Sequence, residues 1–316
     1  MQYQQIGPWA QKIRENVSRV IIGKEEQIDL VLTAVIAGGH VLLEDMPGTG
    51  KTVLARSLAR SLDCAFSRLQ FTPDLLPADI TGMHVFHQGT GEFVFHPGPV
   101  FTNILLADEI NRATPRTQAA LLECMEERQV TEGGETRPLP PPFLVIATQN
   151  PVETQGAFPL PEAQLDRFLL RLRMGYPTKE EALAMMRRFV RDAPLERLAP
   201  VAAREEICQA QALFRQCEVS EPVMEYIAAL CQAARDPERV RLGASPRGML
   251  ALLRAAQAYA ALRGRAFVTP DDVKRLAVPV LAHRLIPRGL YGREGESDRL
   301  MKEILQAVPV PTEARQ

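Results

Sequence analysis

Residues Gly48-Thr49-Gly50-Lys51-Thr52 bring together the groups that hold a chain of phosphates. Glycine lets backbone N–H groups approach an anion closely and takes the positive φ that such a loop requires. Lys51 then supplies a cation for the β- and γ-phosphates, and Thr52 a hydroxyl for Mg²⁺. The next run, VLARSLARSL, has helical spacing, so the loop ends at a helix N-terminus whose dipole favours negative charge. The strict pattern G-x-x-x-x-G-K-[ST] would put glycine at position 45, where this chain has Asp45 after Glu44. Asp45 ends the apolar run VLLED, one step before the tight turn, and its side chain is expected to point away from the cradle. Taken alone, GTGKT also fits an ordinary glycine-rich turn.

Two further runs supply reactive groups. Asn103-Ile-Leu-Leu-Ala107 suits a buried strand and delivers Asp108-Glu109 at its carboxyl end, where open parallel sheets bind ligands. Asp108 can enter a Mg²⁺ shell, and Glu109 is placed to polarise a water for in-line attack on the γ-phosphorus. Without a phosphate loop upstream, the same run would read as a strand entering a solvated turn. FLVIATQNP ends in Thr148-Gln149-Asn150, and the neutral amide of Asn150 suits orientation of a water or contact with a phosphate; otherwise it is a strand-end turn before Pro151. His84, His87 and His96 do not read as a metal site, because a spacing of three on a strand sends the first two to opposite faces.

These groups need a sheet to hold them. Up to about residue 175, the runs at 41–45, 101–109, 143–150 and 168–174 alternate with helical patterns, as in a βαβ parallel sheet. Beyond it strands vanish and the chain becomes Ala/Leu/Arg-rich. Helix starts are marked there by Thr178 with Glu181, by Ser245-Pro246, and by Thr269-Pro270 with Asp272. The fold class expected is an α/β core over 1–175, hinged at Gly175-Tyr176-Pro177 to a helical domain over 176–316. Residues 83–99, with a Gly89-Thr90-Gly91 turn, and 129–143, with Gly133-Gly134, interrupt the alternation as inserted hairpins.

Composition narrows the function classes. A chain of 316 residues with 46% hydrophobic content buries a substantial core. Residues 1–175 hold 15 Lys/Arg against 20 Asp/Glu, and residues 176–316 hold 22 against 18, so neither part has the basic excess of a nucleic-acid groove. The five cysteines contain no C-x-x-C pair and give no disulfide framework, which points to a reducing, cytoplasmic setting. No run approaches membrane-spanning length.

The stretches LLEDMPGTGKT, ILLADEINRATPRTQAALLECMEERQVT, FLVIATQNPVETQGAFPLPEAQLDRFLLRL and GASPRGMLALLRAA, in this order, resemble the AAA+ ATPases and, within them, the MoxR type. The similarity spans about residues 20–260, and an acidic residue at the Asp45 position is usual in that family. The resemblance implies a P-loop core with a small all-α lid, ATP and Mg²⁺ as cofactors, and a ring, in the hexameric form usual for the family. Gly48, Thr49, Gly50, Lys51 and Thr52 would then form the phosphate loop, Asp108 and Glu109 the metal-associated and catalytic acids, and Asn150 the first sensor. Arg167 matches the arginine finger that enters a neighbour's site, and Arg247 the second sensor, expected at the start of a lid helix and able to reach back across the joint. Either arginine would also fit a surface ion pair, with Asp166 nearby. Ile22-Gly23 resembles the segment that contacts adenine, and the hairpins resemble inserts that face the ring centre, with Phe86, Phe93 and Phe95 either touching a client or packing the hairpin.

The family's implied role is remodelling or activating partner proteins, often in metalloenzyme maturation with a von Willebrand factor A (VWA) domain partner. Two rival readings are a magnesium-chelatase-like or DNA-directed motor, and a nucleotide-dependent switch that does not hydrolyse.

Overall fold

The computed structural model describes residues 1–89, 91–150, 157–190, 193–288 and 295–311. Thr90, in the first expected hairpin turn, and residues 151–156, within the third matching stretch, lie outside the described residues.

Helices α1 (Ile6–Ser18) and α2 (Glu25–Ala37) precede the first strand, β1 (His40–Glu44). There follow α3 (Lys51–Ser61), β2 (Phe66–Gln70), α4 (Pro77–Thr81) and the hairpin β3 (Gly82–His87) with β4 (Glu92–Pro97). Then come β5 (Ile104–Asp108), α5 (Pro115–Glu127), the hairpin β6 (Gln129–Glu132) with β7 (Glu135–Pro138), β8 (Leu144–Gln149), α6 (Glu162–Leu165) and β9 (Phe168–Leu172). The sheet order is β2-β5-β8-β1-β9 and every pairing is parallel. Both expected hairpins form, and they pair only internally.

Apolar runs become strands here because both faces of the sheet are covered. Side chains alternate between two cores. Val41 and Leu43, Ile104 and Leu106, and Leu144 and Ile146 face one cluster with α1, α2 and α3, while Leu42, Leu105, Ala107, Val145 and Ala147 face another with Leu121, Leu122 and Met125 of α5. At the amino end of β1 the buried His40 ring accepts the Val145 N–H at Nδ1 (2.9 Å) and meets the Met125 carbonyl through Nε2 (3.1 Å). Burial, with Arg128 beside it, pushes the His40 pKa down to about 3, so the imidazole is neutral with its proton on Nε2.

β2 has no counterpart in the sequence reading. Its residues FSRLQ alternate without a continuous apolar run because it is the sheet edge and is only partly covered.

The second part continues with α7 (Lys179–Phe189), α8 (Arg204–Leu213), α9 (Glu221–Ala233), β10 (Val240–Leu242), α10 (Pro246–Leu262), α11 (Pro270–Leu281), β11 (Ile286–Pro287) and α12 (Glu296–Ala307). The three marked helix starts are formed: Thr178 and Glu181 make a capping box, as do Thr269 and Asp272, and Ser245 Oγ accepts the Gly248 N–H at 3.0 Å. Strands do not vanish entirely beyond residue 175, since β10 and β11 form a small antiparallel ribbon. Three and two residues are too short to carry a periodic signal. Leu252, Leu276 and Ile227 of these helices share the apolar cluster of α1 and α2. Among the described residues no helix is long and apolar enough to cross a membrane.

Candidate nucleotide site

β1 lies between β8 and β9, and the chain leaves its carboxyl end to cross over to β2 at the far edge. A parallel sheet opens a crevice at such a point. The crevice here is a cleft of about 390 Å³ lined by Gly48, Gly50, Lys51, Thr52, Arg68, Gln70, Asp108, Glu109 and Asn150, with Pro47 and Val53. Four strands thus deliver polar groups to one place: the loop after β1, the ends of β2 and β5, and Asn150 after β8.

Gly48 (φ +82°) and Gly50 (φ +91°) take the left-handed conformation, and a Cβ added at either would meet nothing within 4 Å. The need for glycine is therefore conformational, and the space above the loop is open. Gly50 caps α3, whose first residue is Lys51. The Lys51 ammonium donates to the Asp45 carbonyl at 2.7 Å. Burial pushes its pKa below the ordinary value, against the opposing pull of Asp45, Asp108 and Glu109. Thr49 Oγ1 donates to the Met46 carbonyl at 3.2 Å.

The Asp45 carboxylate does point away from the cradle. Oδ2 accepts the N–H groups of Met174 (2.5 Å) and Gly175 (2.8 Å), and Oδ1 accepts that of Met46 (3.1 Å). The acid that breaks the strict motif pins the phosphate loop to the joint beyond β9. Asp45→Gly, which would restore the stricter pattern, is expected to lower unfolding free energy by about 1–3 kcal/mol, because charge-assisted acceptors for buried N–H groups are lost. Urea denaturation measures this, and unchanged stability would show that the pinning contributes nothing.

Ile22 and Gly23 do not line the cleft. Gly23 has φ +70°, and a Cβ on it would come within 2.1 Å of Glu181 Oε1 in α7. Lys24 Nζ donates to the Tyr176 carbonyl at 3.3 Å and pairs with Glu181 at 3.5 Å.

Asp108 and Glu109 are held by neighbours that the sequence reading did not single out. Asp108 Oδ1 accepts Thr148 Oγ1 (2.6 Å), and Oδ2 accepts Arg68 through Nε (3.1 Å) and Nη2 (2.7 Å). Glu109 adopts a left-handed φ of +56°, rare for a residue with a Cβ. That conformation is secured by its N–H bond to Thr148 Oγ1 (2.8 Å), while Gln70 Nε2 donates to its Oε2 at 2.8 Å. Arg68 and Gln70 sit two apart on β2 and project to the same side. That spacing was the available signal for them.

Thr52 and Asp108 present a hydroxyl and a carboxylate to one cleft, an all-oxygen set suited to a hard cation. The described residues contain no group of three or more His, Cys, Asp or Glu arranged to hold a metal ion. The donor set therefore fits a Mg²⁺ that keeps water and phosphate oxygens as its other ligands.

Arg167 and Arg247 lie elsewhere. They line a second cleft, of about 430 Å³, with Gly38, Gly39, His40, Glu126, Arg128, Asp166, Arg254 and Arg284 among its walls. Gly39-His40 and Arg167 stand at the amino ends of β1 and β9, so this cleft is at the opposite end of the sheet from the phosphate loop. Arg247 pairs with Glu126 of α5 rather than reaching back across the joint to its own chain's loop. Asp166 is engaged by Arg284 and Ser245.

In the first hairpin Phe86 and Phe93 are exposed and meet edge-on with centroids 5.3 Å apart. Phe95 turns inward, 5.8 Å from Phe101, with the Arg137 guanidinium of the second hairpin 4.1 Å above it. Phe95 therefore packs between the hairpins, whereas Phe86 and Phe93 pack on each other at the surface.

Residues 40–170 match the model of the ATPase family associated with various cellular activities (AAA), and residues 232–304 match the AAA lid domain. Among curated proteins the chain is 48% identical to Uncharacterized protein YeaC of Bacillus subtilis, covering 99% of this chain and 98% of that one. It is 40% identical to Chaperone MoxR1 of Mycobacterium tuberculosis, covering 93% and 80%. The Magnesium-chelatase 38 kDa subunit of Rhodobacter capsulatus is more distant, at 28% identity over 92% of this chain and 93% of that subunit. The crystal structure of a Cytophaga hutchinsonii protein superposes with a TM-score of 0.89 at 37% identity, covering 98% of this chain and 97% of that one. With the parallel sheet, the phosphate loop at its switch point and the helical lid already described, these matches place the chain in the MoxR-type AAA+ ATPases.

Proposed function

We propose that this protein hydrolyses ATP in a ring, with each active site shared between two subunits, and uses the cycle to remodel or activate a partner protein. The observation that carries this reading is the separation of the two half-sites. β1 has five residues, and at about 3.3 Å per residue its ends are roughly 15 Å apart, with the loop at one end and the Arg167–Arg247 cleft at the other. Arg167 has no route to its own chain's Lys51, so in this reading it serves the site of a second copy, while Arg68, in the cleft with Lys51, is engaged by Asp108.

In this reading Lys51 exchanges the Asp45 carbonyl for phosphate oxygens, while the N–H groups of Gly48–Thr52 cradle the anion. Thr52 and Asp108 would hold Mg²⁺, which when bound would offset charge on the phosphates. Glu109, aimed by Gln70 and by its Thr148 contact, takes up proton density from the attacking water, and Asn150 orients that water. Arg167 and Arg247 of the neighbour meet the charge that develops in the transition state. Ile22-Gly23 borders the base. Residues 1–175 act as the nucleotide-binding core and 176–316 as the lid, with Asp45 fixing the end of the core at Met174-Gly175 and Lys24 reaching across to Tyr176 and Glu181.

The exposed Phe86–Phe93 pair is the client-facing surface, and a VWA-domain protein is the partner class that fits the family. Hexameric assembly and a cytoplasmic setting belong to the same proposal. A chelatase-like or DNA-directed motor is less favoured, because the relative named for that activity is the more distant one and neither part of the chain is strongly basic. A non-hydrolysing switch is less favoured because Glu109 is held in a strained, doubly bonded position that ATP binding alone would not need.

The reading is tested by ATP turnover per subunit against protein concentration. Specific activity should rise as subunits associate, in parallel with mass measured by light scattering, and added DNA should not raise it further. Activity that is constant while the protein is monomeric would remove the shared site, and salt-sensitive stimulation by DNA would favour the motor.

A further inference from the structure

We propose that Asp166 is a positioning residue which holds Arg167 and Arg247 as one unit, acting through Arg284 and Ser245. The inference rests on the reading above, in which these two arginines complete a neighbour's site, and it assigns a task to three residues that reading leaves unused.

One carboxylate joins the two arginine-bearing segments. Asp166 Oδ1 accepts Arg284 Nε at 2.5 Å, and Oδ2 accepts Ser245 Oγ at 3.1 Å. Ser245 is also the N-cap of α10, and Arg247 lies two residues into that helix. Arg167 follows Asp166 directly. The Arg284 side chain is 3% exposed and grips the chain on both sides of Arg167, donating to the carbonyls of Asp166 (3.2 Å), Phe168 (2.7 Å) and Leu169 (3.4 Å). It is itself anchored to the Val280 carbonyl of α11, and its stem packs so closely on α10 that a Cβ at Gly248 would stand 2.9 Å from Arg284 Cδ.

A buried guanidinium needs its carboxylate, and a planar fork fixes direction as well as distance. With both Asp166 oxygens taken, neither Arg167 nor Arg247 is required to neutralise it. The two arginine-bearing segments are thereby held together at the cleft that Arg167 and Arg247 line, where Glu126 of α5 engages the Arg247 guanidinium. A displacement of about 1 Å in such a group costs on the order of 10²-fold in rate.

A merely structural role would also lower activity, so the test uses mixed assemblies of the full-length chain, verified by differential tags. Asp166→Asn should bind ATP as the wild-type chain does and turn it over about 10²-fold more slowly. Co-assembly with Glu109→Gln should restore turnover above the sum of the separate rates, because the Glu109→Gln subunit supplies an intact Asp166–Arg167 unit. Co-assembly with Arg167→Ala should restore nothing, since no interface then has a working finger. If Asp166→Asn does not fold, Ser245→Ala carries the same test, with a smaller loss and the same pattern of rescue. Wild-type turnover of the folded variant, or no rescue by Glu109→Gln where Arg167→Ala is rescued, overturns the proposal. Failure of the Arg167→Ala and Glu109→Gln control pair to recover in verified mixed assemblies would instead remove the shared site, and this inference with it.

Discussion

Glu109→Gln is expected to bind ATP with the wild-type affinity and to hydrolyse it about 10²–10⁴-fold more slowly, the usual contribution of a positioned general base. The substitution keeps the shape of the side chain and its ability to accept the 2.8 Å bond from Gln70, so the left-handed backbone held by Thr148 should survive. What is lost is the carboxylate that takes up proton density from the attacking water. Lys51→Ala should behave in the opposite way. Lys51 lies within the cradle and meets phosphate in the ground state, so its loss weakens binding itself. Equilibrium binding of a fluorescent ATP analogue and steady-state phosphate release, measured on both variants, separate the two roles. Hydrolysis by Glu109→Gln at the wild-type rate would end the assignment of Glu109.

The residues that sequence reading reached are those whose chemistry is written in local spacing. Gly48 and Gly50 are demanded by backbone conformation, and Asp108-Glu109 and Asn150 each end a run apolar enough to be a buried strand. Arg68, Gln70 and the hydroxyl of Thr148 were not reached as site residues. The first two lie on an edge strand whose alternating polar residues read equally as loop, and Thr148 acts across strands, on Asp108 and Glu109, through a register that only the sheet order fixes. Arg247 illustrates a different limit. Its helix start was legible from Ser245-Pro246, but its direction depends on how α10 packs against α2, far away in the chain, and on its pairing with Glu126 of α5. The sequence leaves it either reaching back across the joint or in a surface ion pair, and the structure sets it beside Arg167 and paired with Glu126. The two strand omissions have different causes: β2 is an edge strand only partly covered, and the β10–β11 ribbon is too short for a period-two pattern to stand out.

Arg167→Ala is expected to reduce turnover by about 10³–10⁵-fold, the range over which arginine fingers have been dissected, while leaving each chain's own phosphate loop untouched. The size follows from the chemistry. Charge grows on the γ-phosphoryl oxygens in the transition state, in a cleft from which water is being excluded, and a guanidinium already in position stabilises it without reorganising. The direction follows from the fold, since Arg167 stands at the amino end of β9 and Lys51 beyond the carboxyl end of the adjacent β1. An Arg167→Ala subunit therefore still offers an intact Lys51, Asp108 and Glu109, and a Glu109→Gln subunit still offers an intact Arg167. Where the first receives the finger of the second, one interface is whole. Turnover of co-assembled mixtures should exceed the sum of the two variants measured separately, with a maximum near equal proportions when subunits are distributed at random. Light scattering and differential tags establish that mixed assemblies have formed before any rate is compared. Mixed assemblies with no recovery would mean that sites do not act independently across interfaces, and a monomer with full activity would show that Arg167 has no role in a neighbour's site.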